Sequence, residues 1–259
     1  MGLGVFNGMD RRRFLEWGLL GIAVAPAGCG FSTVEPTPSG GSGRLGAPWH
    51  APVTALEPGL HALDFGGYRD GYIRVPAGYR HDDGAPFALL LHGAGGSAED
   101  WSGGFDLFDE LGLVVLGVDS AGSSWDLRFG SFGADVAFIR KALERTFDAV
   151  RVDPAQLAIS GFSDGASYAL SLGLANGDLF THVLAFSPGF AAPDSRHGHP
   201  DVFLSHGTAD TVLPVDFTRR LAGILRADGL QVRFEEFTGG HTLPRAVARL
   251  GYGWMVEGG

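Results

Sequence analysis

The chain has 259 residues, 45% of them hydrophobic and 19% charged, with a formal net charge of −10 and a single cysteine. This length accommodates one large α/β domain or two small ones. The acidic balance speaks against a nucleic-acid partner, because phosphate binding needs a basic surface, and one cysteine excludes a disulfide framework within the chain.

Residues 1–28 read as an address. Arg11, Arg12 and Arg13 precede Phe14 and Leu15, and an apolar stretch from Trp17 to Ala27 follows. Basic, then apolar, then small is the layout of a cleavable export signal. Adjacent arginines followed by Phe-Leu resemble the twin-arginine signal of bacteria. Two cleavage sites compete. Ala25-Pro26-Ala27 fits A-x-A and would release a soluble periplasmic or secreted protein. Ala27-Gly28-Cys29 resembles a lipoprotein box, with Cys29 as the lipid attachment point, although Pro26 stands where leucine is usual. The second site would give a cell-envelope lipoprotein tethered to a membrane. Residues 29–58, rich in Gly, Ser and Pro, have the composition of a flexible tether.

The body, residues 59–259, alternates strand and helix signals. Strands are predicted at His61–Phe65, Tyr72–Val75, Phe87–Leu91, Leu113–Val118, Leu157–Ser160, His182–Phe186, Val202–Ser205 and Val232–Phe237. Helices are predicted at Gly133–Thr146, Ser163–Ala175, Val215–Ala227 and Leu243–Gly251. Val136, Phe138, Ile139, Leu143 and Phe147 recur at helical spacing. The runs "FALLL" and "LVVLGV" are continuously apolar, as strands buried on both faces are. Antiparallel strands followed by βαβα units imply one α/β domain with an open, mostly parallel eight-stranded sheet and helices on both faces. Ligands then bind outside the carboxyl ends of the strands.

Four strand ends carry chemistry. Leu157–Ser160 runs into Gly161-Phe162-Ser163-Asp164-Gly165 and then a helix. With 42 glycines in the chain, G-x-S-x-G alone is a weak signal. Between a strand and a helix it describes the sharp turn that exposes a nucleophilic serine. Phe87–Leu91 ends in His92-Gly93-Ala94-Gly95-Gly96, the type of loop that supplies half of an oxyanion hole. The expected donors are the N–H groups of Ala94 and of Asp164, with Gly95 as the alternative to Ala94. Val202–Ser205 ends in a loop carrying Asp210, where an acid that orients a histidine would stand. Asp216 fits the start of the next helix better, which leaves Asp210 free. Val232–Phe237 is followed by His241 in a glycine-flanked loop. The order Ser163, Asp210, His241 is nucleophile, acid, base. His92 and His206 read as residues that shape their turns. His197 and His199 form an H-x-H without a second ligand pair, so no metal site is expected.

Taken together, "LLLHGAGGSAEDW", "ISGFSDGASYALSLGL", "SHGTADTVLP" and "GGHTLP" resemble the phospholipase/carboxylesterase branch of the α/β-hydrolase fold, including dienelactone-hydrolase-like esterases. "HGAGGSAEDW" also resembles the corresponding loop of polyhydroxyalkanoate depolymerase-like and feruloyl-esterase-like proteins. The resemblance covers roughly residues 70–250. It implies Ser163 as nucleophile, Asp210 as acid and His241 as base, and does not fix the substrate, because this fold hosts many chemistries; a small-molecule ester substrate and no cofactor are expected. Trp101, Trp125 and Phe162 flank this machinery in sequence and are candidates for a substrate pocket. The segment 187–201 is too short for a large lid, which points to small, short-chain or aromatic esters. Other readings stay open: a polyester depolymerase or serine peptidase with the same triad, or an exported binding lipoprotein that retains the triad without using it. Asp164 departs from the family, where Gln, Met or Ala commonly follows the serine. A carboxylate there would oppose a developing oxyanion unless it points away.

Overall fold

The computed structural model describes residues 5–6, 41–46, 52–67 and 70–258. Its centre is one eight-stranded sheet. The strands are β1 (Gly59–Ala62), β2 (Gly71–Val75), β3 (Ala85–Leu91), β4 (Val114–Val118), β5 (Val152–Phe162), β6 (His182–Phe186), β7 (Asp201–Gly207) and β8 (Val232–Phe237). Their spatial order is β1-β2-β4-β3-β5-β6-β7-β8. β1 pairs antiparallel with β2, and β2 with β4. All other neighbours are parallel.

The apolar runs are continuous because successive residues serve different cores. Phe87, Leu89 and Leu91 of β3 face one core, whereas Ala88 and Leu90 face the other. The first core is covered by α2 (Ala134–Ala149), α3 (Asp164–Ala175) and α4 (Val215–Ala227); the second by α1 (Phe105–Glu110) and α5 (Arg245–Glu257). Side chains of a strand alternate faces, so a strand covered on both sides reads as uniformly apolar. All twelve residues of α3 are buried, and this helix carries Asp164 at its first position.

Several boundaries differ from the sequence reading. β5 starts at Val152 rather than Leu157, because its first part pairs with Ala85 across a register shift. Asp153, Pro154 and Ala155 there are not buried, so no apolar pattern marks them. Helix α5 starts at Arg245 rather than Leu243. Pro244 disfavours helical backbone at the residue before it, and Leu243–Pro244 instead pairs antiparallel with Val5–Phe6. A short 3₁₀ turn at Asp126–Phe129 was not anticipated. The rest of residues 1–28, and Cys29, lie outside the described residues. Among the described residues no helix is long and apolar enough to cross a membrane.

The tether reading does not hold over 41–46. Leu45 is buried, and its N–H donates to Asn176 Oδ1 at 2.9 Å. The Asn176 amide donates in turn to Gly43 O at 2.8 Å. Arg44 forms a two-pronged pair with Asp178 at 2.8 and 2.6 Å. The Val53 and Thr54 N–H groups both donate to Asp148 O at 2.8 Å. Gly/Ser composition predicts a loose spacer, but one buried leucine and satisfied backbone groups dock residues 41–46 beside the C-terminal end of α3, and residues 53–54 dock on that of α2.

His182, at the start of β6, is buried edge-to-face against Trp254, with ring centroids 5.4 Å apart. Burial lowers its pKa, with Asp201 opposing the shift. The unfolded chain therefore takes up a proton more readily than the folded one as pH falls through about 6.5. Stability from this site is complete above that value and declines below it. Thermal unfolding measured from pH 7.5 to 5.5 is expected to show a falling Tm, with a smaller fall in His182→Gln.

Candidate active site

Ser163 sits between β5 and α3 with φ 57° and ψ −117°, a backbone region that a non-glycine residue occupies at a cost of about 1–3 kcal/mol. The surroundings impose it. The Ser163 N–H donates to Phe186 O at 2.9 Å, and the Ser163 carbonyl accepts the Ser167 N–H at 3.1 Å. A Cβ at Gly161 would lie 2.2 Å from Gly165 O, and one at Gly165 would lie 2.2 Å from Leu91 O. Only glycine at both positions allows β5, α3 and the end of β3 to meet so closely.

His241 lies in the loop after β8. Its Nε2 is 2.8 Å from Ser163 Oγ, and its Nδ1 is 2.6 Å from Asp210 Oδ2. A carboxylate can only accept, so Nδ1 carries the proton and the neutral ring turns an unprotonated Nε2 to the serine. The Phe162 ring flanks that of His241, with centroids 4.9 Å apart.

Asp210 is held from several sides. Its Oδ1 accepts the N–H groups of Val212 and Leu213 at 2.8 and 2.9 Å. Its Oδ2 faces both His241 Nδ1 and the buried His206 Nε2, the latter at 3.2 Å. Burial alone would raise the Asp210 pKa. Hydrogen bonds from His206, His241 and the Leu213 N–H outweigh it and hold the carboxyl well below its ordinary range. The acid and base loops are also stitched together: the Ala209 N–H donates to Gly239 O at 2.8 Å, and the Thr208 N–H donates to Phe237 O at 2.9 Å.

His206 therefore does more than shape its turn. It stands four residues before Asp210, with Nδ1 2.7 Å from Thr218 Oγ1 and Nε2 2.7 Å from Leu213 O. His206→Gln is expected to lower kcat about ten-fold with KM little changed, the effect of losing one hydrogen bond to a charged group. Because His206 helps hold Asp210 deprotonated, its loss moves Asp210 protonation upward. The stability that ionised Asp210 contributes above about pH 4 should then be smaller in the variant, as the fall of Tm measured down to pH 3 would show.

The N–H groups expected to meet an oxyanion are also resolved. Gly95 N–H donates to Ser123 O at 2.6 Å, and of the two N–H groups expected from this loop Ala94 is the other. Asp164 is the first residue of α3, where the helix has no acceptor for its N–H. The loop before Ala94 is pinned. His92 Nδ1 is 2.7 Å from Gly93 O, and its Nε2 accepts the Ser120 N–H at 3.0 Å.

Of the three proposed pocket aromatics, Phe162 is half-buried beside His241. Trp125 is buried, stacks on Tyr168 with centroids 5.1 Å apart, and donates from Nε1 to His92 O at 2.9 Å. Trp101 is buried in the core under α1 and α5. Neither tryptophan presents a surface to a ligand here. Trp125 supports the Ala94 loop from behind. The segment after β6 lies along α3: Gly189 and Ala192 N–H groups donate to Ser167 Oγ and Ser171 Oγ, both at 2.9 Å.

Residues that sequence reasoning missed come from the stretch between β4 and α2. Asp135 receives the Ala121 and Asp126 N–H groups, both at 2.6 Å, and this folds the stretch back toward the serine. It brings Ser124 and Arg128 onto the Asp164 side chain. No spacing in the sequence announces these contacts.

Residues 132–247 match the family model described as phospholipase/carboxylesterase, a span that includes Ser163, Asp210 and His241. "Putative esterase NocK" of Nocardia uniformis subsp. tsuyamanensis is 33% identical over 147 residues, covering 52% of this chain and 42% of that protein. Feruloyl esterase C of Emericella nidulans is 30% identical over 159 residues, covering 57% of each. The chain thus spans about half the length of the curated relatives it matches. Among solved structures, the Bacillus cereus carboxylesterase superposes with a TM-score of 0.55 at 20% identity, covering 74% of this chain and 95% of that one. By strand order, by the Ser163 turn and by these likenesses, the chain has the α/β-hydrolase fold, and the proteins it is similar to are esterases.

Proposed function

We propose that the protein is a serine hydrolase of carboxylic esters, working through an acyl-enzyme. One observation carries this reading: Asp210, His241 and Ser163 form an unbroken hydrogen-bonded line at the carboxyl ends of three strands, ending on a serine held in a strained turn. His241 Nε2 takes the Ser163 proton as Oγ attacks the ester carbonyl. The Ala94 and Asp164 N–H groups receive the oxyanion. The imidazolium, stabilised by Asp210, then protonates the leaving alcohol, and water repeats the cycle on the acyl-enzyme. General base action contributes about 10²–10⁴-fold, and each oxyanion donor about 10²–10³-fold.

The substrate we infer is a small ester with a short or aromatic acyl group. Its support is Phe162 beside His241 and the modest segment 187–201, which follows α3 closely. The Arg11–Arg13 stretch supports export, and Cys29 supports a lipid anchor. Labelling with a fluorophosphonate probe tests the chemistry: adduct on Ser163 is expected, and an intact protein that never labels there would favour a binding role. A panel varying acyl and alcohol groups, run beside peptide amides and polyester film, tests the substrate. Fastest turnover on short or aromatic acyl esters is expected, and faster turnover of film or amide would replace that reading.

A further inference from the structure

The side chain of Asp164 is nine-tenths buried, one residue from the nucleophile, at the residue whose own N–H would meet the oxyanion. An unpaired carboxylate there repels the charge that develops on the substrate oxygen. It is not unpaired. Arg128 Nη1 lies 2.7 Å from both carboxylate oxygens, and Ser124 Oγ donates to Oδ2 at 2.8 Å. Arg128 itself is one-third exposed, and Asp126, two residues before it in the 3₁₀ turn, is tied to Asp135 and Tyr168.

Resting on the hydrolase reading above, we propose that Arg128 is a positioning residue for catalysis: by pairing with Asp164 it directs that carboxylate away from the oxyanion site and cancels its charge. The arrangement resolves two opposing demands. The positive end of α3 favours an acidic residue in its first turn, whereas acyl transfer disfavours a negative charge beside the tetrahedral intermediate. Arg128 and Ser124 let Asp164 serve the first demand without opposing the second. If an uncovered carboxylate stood about 8 Å from an oxyanion, the two would, at an effective dielectric of about 20, repel by the equivalent of roughly thirty-fold in rate.

A double-mutant cycle tests this, read by kcat and KM on 4-nitrophenyl acetate and by the rate of fluorophosphonate labelling of Ser163. Arg128→Met is expected to lower kcat roughly thirty-fold with KM within about three-fold, and to slow labelling in parallel. Arg128→Lys, which keeps the charge, is expected to recover most of that loss. In an Asp164→Asn background, Arg128→Met is expected to cost less than about three-fold, because no carboxylate remains to be uncovered. An equal cost in both backgrounds, or none in either, overturns the proposal while leaving the hydrolase reading intact. A wild-type protein that neither labels nor turns over ester overturns both. Should Arg128→Met fail to fold by circular dichroism, Arg128→Gln in the two backgrounds makes the same comparison.

Discussion

Replacing Ser163 with alanine is expected to lower kcat by about 10⁵–10⁶-fold on a short-chain ester, while the fold and its thermal transition stay close to wild type. The first half follows from the unity of the triad. Once Oγ is gone, His241 Nε2 has no proton to take, and the oxyanion donors are left with only the slow attack of water to assist. Removing a serine nucleophile alone costs about as much as removing all three members of such a triad. The second half follows from what holds the turn. The strained backbone at Ser163 is fixed by its N–H to Phe186 O, by the glycine contacts at 161 and 165, and by the start of α3; the hydroxyl supports none of these. Alanine suffers the same φ, so the change in stability should stay within about 1 kcal/mol. Steady-state kinetics together with thermal unfolding separate the two halves. Residual activity near wild type would remove Ser163 from the reaction.

The second large effect is expected at Asp210→Asn, with a loss of about 10⁴-fold in kcat near neutral pH. The reason lies in which atom faces which. Asp210 Oδ1 accepts the Val212 and Leu213 N–H groups, so the asparagine carbonyl must take that place. Its NH₂ then points at His241 Nδ1 and donates to it. The imidazole proton moves to Nε2, and the lone pair needed by Ser163 is lost. The same NH₂ also confronts His206 Nε2, which already faces Leu213 O, so the substitution collides with a second donor. Stability should change differently with pH as well. The folded protein holds Asp210 below its ordinary pKa, so the ionised group contributes stability above about pH 4 that fades as pH falls toward the folded value. The asparagine variant lacks that dependence. Comparing kcat at neutral pH and Tm down to pH 3 for the two proteins checks both effects.

How much of this was legible in the sequence varies with the distance over which each demand acts. The turn at Gly161–Gly165 was legible because its constraint is local. Two missing side chains and a strand-to-helix reversal leave a pattern five residues long. Asp210 and His241 were legible through chain order and strand ends, since a parallel sheet delivers successive strand ends to one edge. The alternation of Phe87 through Leu91 between two cores announced a sheet covered on both faces. The sequence shows His206 only as a turn residue, because nothing local says that its ring shares Asp210 Oδ2 with His241. Arg128 was invisible. Its place depends on Asp135 folding back the stretch after β4, a contact between residues whose spacing obeys no periodicity. Proximity in sequence makes Trp125 a pocket candidate, yet its ring is buried and its Nε1 donates to His92 O behind the Ala94 loop. Leu45 was hidden in a Gly/Ser-rich stretch whose composition argues for disorder, although a single buried side chain and a few satisfied amides suffice to dock it.

That docking has a consequence for reach. Between Cys29 and Gly41, where the docked stretch 41–46 begins, lie eleven residues, and a chain of that length spans at most about 40 Å. Counted from the expected end of the tether at residue 58, the leash would have been more than twice as long. A lipid on Cys29 would therefore hold the hydrolase within roughly its own diameter of the bilayer. On the lipid-anchored reading proposed above, the site around Ser163 would sample the layer of solvent next to the membrane rather than the depth of the compartment.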